Sequence, residues 1–294
     1  MFGKRRLLVV ALFIFAAGST VSALGDSVPV IVAGRVLQGV GGGIFPLCFG
    51  IIRDEFPPER VSTSIGLLSA TLGIGGGVGL IVGGLIVDHA SYHWIFWLGA
   101  GMAAIAAVAA LLFVPESPDR KPAKVDYRGA AVLAVGLSVP MYAISEANNW
   151  GWTSSKTIAL ALIGLVVLTF WVWLEKRTEE PLADISMLVK PTVAMTNIAT
   201  VLIGFGMFAS YILIPQLVEA PENTGYGFGF SATQAGLVML PAALMMLFAG
   251  PLSGRLGARF GNKLPLALGG LLCGIGLVGL GLDHGSAFNI VIWN

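Results

Sequence analysis

Apolar runs recur along the whole chain, each long enough to cross a bilayer, for which about 20 apolar residues suffice. Short polar joints separate them. The pattern predicts nine transmembrane helices, at 7–25, 30–52, 64–87, 94–114, 129–146, 157–174, 192–218, 232–252 and 265–282. A tenth apolar segment begins at 288–293. The joints carry turn residues: Phe56-Pro57-Pro58, Pro115-Glu116-Ser117-Pro118, Asn148-Asn149-Trp150-Gly151 and Ala220-Pro221-Glu222-Asn223. No joint has the length of a separate soluble domain.

The distribution of positive charge supports this spacing. All but two of the 17 Lys and Arg residues fall in one set of alternate joints: Lys4, Arg5 and Arg6; Arg53 and Arg60; Arg120, Lys121, Lys124 and Arg128; Lys176, Arg177 and Lys190; Arg255, Arg259 and Lys263. The opposite set holds Lys156, and Arg35 lies within a span. Basic joints face the cytoplasm, so the pattern predicts a multi-pass protein of the cell membrane with a cytoplasmic amino terminus. Tyr92, Trp94, Phe96, Trp97, Trp150, Trp152, Trp171 and Trp173 fall near predicted interfaces. There they act either as anchors or as surfaces on which a ligand stacks.

Composition narrows the class. Hydrophobic residues make up 56% of the chain and charged residues 11%, against about 25% charged in soluble domains; mean hydropathy is +0.85. The predicted fold class is an all-α membrane protein, a polytopic helical bundle. Cys48 and Cys273 sit in apolar runs, and His89, His93 and His284 have no ligand spacing, so no disulfide, metal or cofactor is expected. No nucleophile–base pair or phosphate-binding loop argues for an enzyme, and no basic domain argues for nucleic acid. No joint resembles a channel's selectivity filter.

The candidate chemistry lies in Ala33-Gly34-Arg35-Val36-Leu37-Gln38-Gly39-Val40-Gly41-Gly42-Gly43. An arginine inside a span costs roughly 2.5–3.5 kcal/mol on insertion scales, and such residues face a protein interior or a watery cavity. Arg35 therefore either marks a transport pathway or reaches an interface or carbonyl for packing. Gln38, three residues on, shares its helix face and is placed to orient the guanidinium. The run 64–87 holds Gly73, Gly75, Gly76, Gly77, Gly79, Gly83 and Gly84 in overlapping repeats of small residues that allow helices to approach closely. In 192–218, Asn197, Thr200 and Tyr211 either line a substrate cavity or bond between helices. Met239, Met245 and Met246 either pack or form an adaptable apolar wall. The acidic residues Asp26, Asp88, Glu146 and Glu219 lie near span ends, so the carboxyl that would carry a proton is not identified.

Lys4-Arg5-Arg6, an apolar run and Val21-Ser22-Ala23 have the layout of a secretory signal peptide, but spans follow at once and the basic triplet has a second explanation. Arg35-x-x-Gln38-Gly39 and the glycine-rich third span together resemble the major facilitator superfamily, and within it the drug:proton antiporter branch with fourteen spans. Gly3, Lys4, Arg5 and Arg6 resemble the second half of that family's cytoplasmic loop between spans two and three. Gly250, Arg255, Gly257 and Arg259 resemble its degenerate second copy, with Gly254 where an Asp would stand. Gly75, Gly79, Gly83 and Gly84 match the antiporter motif, with Leu80 in place of its proline.

The resemblance implies a partial major-facilitator fold of about nine complete transmembrane helices. Residues 1–118 would be an amino-terminal bundle holding the family's spans three to six. Residues 119–190 would be a linker with two extra helices, and 191–294 the start of a carboxy-terminal bundle. The chain is then expected to be a fragment lacking the first two and the last spans. The implied activity is secondary transport by alternating access, a proton-coupled efflux of drugs or other small lipophilic or cationic compounds. Arg35 and Gln38 would serve proton coupling, since a fixed cation lowers the pKa of a nearby carboxyl, and Gly39 with the third-span glycines would serve close packing. The expected partners are a small-molecule substrate, protons and the lipid bilayer; the oligomeric state is open. The alternative is a truncated membrane protein that does not transport, either a relic or a regulatory or scaffold subunit.

Overall fold

The computed structural model describes residues 3–116 and 126–294, and among these every regular element is a helix. In chain order these are α1 (Lys4–Ala23), α2 (Val28–Gln38), α3 (Ile44–Glu55), α4 (Pro58–His89), α5 (His93–Phe113), α6 (Tyr127–Trp150) and α7 (Ser155–Glu175). A single turn, α8 (Ile185–Leu188), precedes α9 (Pro191–Glu219), α10 (Ala232–Phe260), α11 (Lys263–Leu282) and α12 (Ala287–Trp293). Among the described residues, nine helical stretches are long and apolar enough to span a membrane, one for each predicted run. The chain is an all-α membrane bundle. Ser117, Pro118, Arg120, Lys121 and Lys124 lie outside the described residues.

Three stretches differ from the hydropathy reading. The run 30–52 is interrupted by a 3-10 turn, Gly39–Gly43, between α2 and α3. Glycine costs about 1 kcal/mol relative to alanine in a helix, and this turn is glycine except for Val40. The charged stretch Arg53–Arg60 is mostly helical, with Phe56 and Pro57 forming the joint and Pro58 opening α4, where its missing N–H costs no hydrogen bond. Finally, α10 runs on through Gly250–Arg259, read from sequence as a loop, and stops only at Gly261, which takes φ 84°. Pro241 and Pro251 lie within α10; membrane helices tolerate proline where neighbouring groups satisfy the freed carbonyls.

The chain divides into two units, one of α6, α7, α8 and α9 as far as Val201, the other of α1–α5, α9 from Leu202, and α10–α12. In the first, α6 and α7 form an antiparallel hairpin. The Pro140 ring fills the space a side chain at Gly164 would need, its Cδ lying 2.5 Å from that position. Ala143 and Ala147 are fully buried on the same face. At the far end Glu175, 2% exposed, accepts a hydrogen bond from the Ala183 amide at 3.1 Å and so ties down the segment after α7.

In the second unit, α1 packs among α2, α3 and α5 around Leu8, Val9, Leu12, Ala107 and Ala110. The buried face of α5 is Ala100, Ala103, Ala107 and Ala110, small residues at helical spacing that let α1 approach. The basic start of α1 is anchored in three directions. Lys4 pairs with Asp54 at 2.6 Å and donates to the Gly50 carbonyl. Arg5 donates to the Val114 carbonyl, and Arg5 and Arg6 both flank Glu116, at 3.8 and 3.7 Å.

The longest contact in this unit is an antiparallel seam between α4 and α10. Gly66, Ala70, Gly73, Gly77 and Gly84 are the buried residues of α4. A Cβ on Gly66 would lie 2.7 Å from the Gly250 carbonyl, and one on Gly250 2.6 Å from the Gly66 carbonyl. Gly236 is set against the Leu80 carbonyl and Gly254 against that of Ser62, each at 3.0 Å by the same measure. Hydrogen bonds close both ends. Ser62 donates to the Gly254 carbonyl at 3.1 Å, and at the other end the Asp88 carboxylate accepts from the Thr233 amide and hydroxyl at 3.0 and 2.6 Å.

Gly66→Leu is expected to cost about 1–3 kcal/mol through overpacking, read as a lowered midpoint in detergent-induced unfolding. Gly75→Leu, where a Cβ meets nothing within 4 Å, is expected to leave that midpoint unchanged.

Candidate functional site

The Arg35 site begins with a close crossing. A Cβ on Gly18 of α1 would lie 2.6 Å from the Gly34 carbonyl of α2, and one on Gly34 would lie 2.5 Å from the Gly18 carbonyl. With the backbones this near, the next residue, Arg35, reaches α5. Its guanidinium carbon stands 4.9 Å from the centre of the Phe96 ring, a cation–π distance. Its Nη1 donates to Gln38 Oε1 at 3.1 Å, so the carboxamide anticipated from spacing does hold the guanidinium. Gln38 and Phe96 are each 8% exposed, and the Ser19 hydroxyl fixes the Phe96 backbone by donating to its carbonyl at 2.9 Å. A charge on α2 is thus braced by a buried amide and a buried ring. Gly39 follows directly, at the start of the 3-10 turn.

A second feature is a cavity of about 470 Å³ among α9, α10, α11 and α12. Met239, Met245 and Met246 all line it, with Tyr211, Cys273 and Trp293. Tyr211 lies one helical turn below a fully buried knot of Ile214, Val218, Met239 and Ile290, which holds the end of α9 against α10 and α12. Its hydroxyl points at Met246 Sδ from 3.9 Å and lies 3.4 Å from where a Cβ on Gly76 of α4 would be. The Ser210 hydroxyl is returned to its own helix, donating to the Gly206 carbonyl.

The other anticipated residues are dispersed. Asn197 and Thr200 are exposed and do not line this cavity; Thr200 donates to the Thr196 carbonyl within α9. Of the third-span glycines, Gly84 lies in the seam, while Gly75, Gly79 and Gly83 have open space beside them. Gly3, Lys4, Arg5 and Arg6 form the anchored start of α1. Gly250 is in the seam, Gly257 abuts the Asn262 carboxamide, Arg259 lies over Phe260, and Arg255 is exposed on α10. Among the described residues no group of His, Cys, Asp and Glu could hold a metal.

Two structural contacts were not legible in the sequence. Phe96 was read as an interface aromatic, an anchor or a surface for a ligand; nothing local connects it with Arg35, 61 residues earlier. Gly66 was not singled out, and although Gly73 and Gly77 were read among the close-packing repeats, their spacing with Ala70 and Gly84, which marks the seam face, was hidden among the neighbouring glycines.

The Arg35–Phe96 stack is expected to show a coupling of about 0.5–2 kcal/mol in a double-mutant cycle of Arg35→Met and Phe96→Leu, measured by detergent-induced unfolding. Additive single effects would show that the ring does not hold the charge.

Comparison with known proteins agrees with this architecture. The sequence profile of the Major Facilitator Superfamily matches residues 1–293. The chain is 28% identical over 265 residues to multidrug resistance protein 3 of Bacillus subtilis, covering 90% of this chain and 50% of that protein. It is 28% identical over 296 residues to the tetracenomycin C resistance and export protein of Streptomyces glaucescens, covering 99% of this chain and 54% of that protein. An uncharacterized MFS-type transporter of Bacillus subtilis is 29% identical over 272 residues, 92% of this chain and 50% of its own length. The chain thus spans about half the length of these curated relatives.

Proposed function

Because this chain belongs to the Major Facilitator Superfamily, we propose that it forms part of a secondary transporter exporting small lipophilic compounds across the cell membrane in exchange for protons. The observation that carries the reading is a methionine-lined cavity of ligand size; the same unit also holds, on α2, an arginine that is exposed but braced by Gln38 and Phe96. Pockets for small molecules measure about 300–1,000 Å³ and are mostly apolar, and methionine adapts to varied apolar shapes. The names of the relatives, which speak of multidrug resistance and of resistance and export, support the same class of substrate.

In this reading the chain belongs to the fourteen-span drug:proton antiporter branch, with α6 and α7 as the extra helix pair between two bundles. Its amino terminus is cytoplasmic, as the basic joints demand. Arg35 acts by electrostatics rather than by carrying the proton: a fixed cation favours the ionised form of a carboxyl brought near it and thereby sets when that carboxyl releases its proton. Gln38 and Phe96 keep the guanidinium in one orientation while the bundles rock. The α4–α10 seam supplies a smooth surface on which rocking can occur, because small residues present few side chains to interlock.

With the full chain in proteoliposomes, an imposed proton gradient is expected to drive a lipophilic dye across the membrane. Arg35→Ala is expected to abolish the dependence on the gradient, with Arg35→Lys intermediate. Unchanged gradient-driven movement in Arg35→Ala would remove the coupling role, and no gradient-driven movement in the parent chain would overturn the transport reading.

A further inference from the structure

We propose that one exposed face of α7 seats an anionic phospholipid, with an acyl chain in a groove at Leu165, Val166, Thr169, Phe170 and Trp173 and the phosphate against Arg177. The groove measures about 560 Å³, and all five of its residues are exposed. Leu165, Thr169 and Trp173 stand four residues apart and so share a face of the helix. At 1.5 Å rise per residue they span about 12 Å, most of the roughly 15 Å of hydrocarbon in one leaflet. The face is apolar in effect as well as in composition. The Thr169 hydroxyl donates to the Leu165 carbonyl at 2.8 Å, and Phe170 and Trp173 stack with ring centres 5.4 Å apart.

The charge lies at one end of this face. The Arg177 guanidinium carbon stands 4.3 Å from the centre of the Trp173 ring, so the ring holds it at the mouth of the groove. Among the described residues no ion pair or side-chain hydrogen bond engages that guanidinium. Lys4, Arg5 and Arg6, by contrast, are matched by Asp54 and Glu116. The last acid of α7 does not neutralise Arg177 either. Glu175 is buried, and its carboxylate turns toward Gly129 of α6 and the Ala183 amide. A planar fork of five donors suits the oxygens of a phosphate. Phosphatidylcholine carries its own cation beside that phosphate, whereas an anionic lipid leaves the negative charge for Arg177. One basic residue near the surface favours the anionic lipid by about fivefold.

The test reconstitutes the full chain in phosphatidylcholine bilayers holding a trace of phosphatidylglycerol or phosphatidylcholine, each with the same photoactivatable acyl chain. After irradiation, peptide mass spectrometry compares labelling of residues 165–173 with that of Ile105, Val108 and Leu112, an exposed face of α5. Phosphatidylglycerol is expected to label the α7 groove about fivefold more than phosphatidylcholine, with no such preference on α5. Arg177→Gln is expected to abolish the preference while leaving labelling by phosphatidylcholine as it was. Lys190→Gln removes another exposed basic residue of the same unit, outside the groove, and is expected to leave the preference intact. Equal labelling of the groove by the two lipids, or a preference retained in Arg177→Gln, overturns the proposal and leaves ordinary lipid contact. A preference as large on α5, or lost equally in Lys190→Gln, overturns it in favour of diffuse attraction to basic joints. None of these outcomes depends on whether the chain transports.

Discussion

Helices surrounded by lipid gain little from hiding apolar side chains, because the acyl chains are as apolar as leucine; close backbone approach supplies the association instead. The α4–α10 seam meets that constraint with Gly66, Gly236, Gly250 and Gly254 set against carbonyls of the facing helix. The same solution recurs in miniature where Gly18 meets Gly34, and in the hairpin where Gly164 receives the Pro140 ring. Each of these contacts would be lost to a single methyl group. The candidate site depends on one of them: Arg35 reaches Phe96 because Gly34 brings α2 onto α1.

The polar groups divide into structural and available ones by the same accounting. Ser19, Ser62, Ser210 and Thr200 all give their hydroxyls to backbone carbonyls, which removes them from ligand chemistry and strengthens packing where hydrophobic gain is small. Asp88 is spent on the first turn of α10 and Glu175 on the Ala183 amide. Less fully used are the Tyr211 hydroxyl, which faces a sulfur, and the Trp171 indole N–H and second Glu175 oxygen, which are buried without a hydrogen-bond partner.

Much of the architecture was legible before any coordinates. Nine spans followed from run length, because a bilayer imposes one length on every crossing, and the basic joints gave an independent register. The Arg35–Gln38 pair was legible because three residues on a helix share a face. The Arg35–Phe96 contact was not, since no local rule links positions 61 residues apart. Hydropathy could not detect the break at Gly39–Gly43, because glycine and valine read as membrane-compatible whatever their helical propensity. The converse holds at Gly250–Arg259, which resembles a degenerate copy of the family's cytoplasmic loop but continues α10 along α4. Among the third-span glycines, so many small residues in succession satisfy several spacings at once, and only the partner helix selects the face.

The seam also bears on how such a protein is made. Its halves are far apart in the chain, with Ser62 bonded to Gly254 and Asp88 to Thr233. At synthesis rates of about 5–20 residues per second, α10 follows α4 by on the order of ten seconds. During that interval the glycine groove of α4 is occupied by acyl chains or by another helix of the nascent bundle. The residues that make the finished joint so close therefore make the unfinished one open to misassembly, and the late helix must displace whatever has settled there.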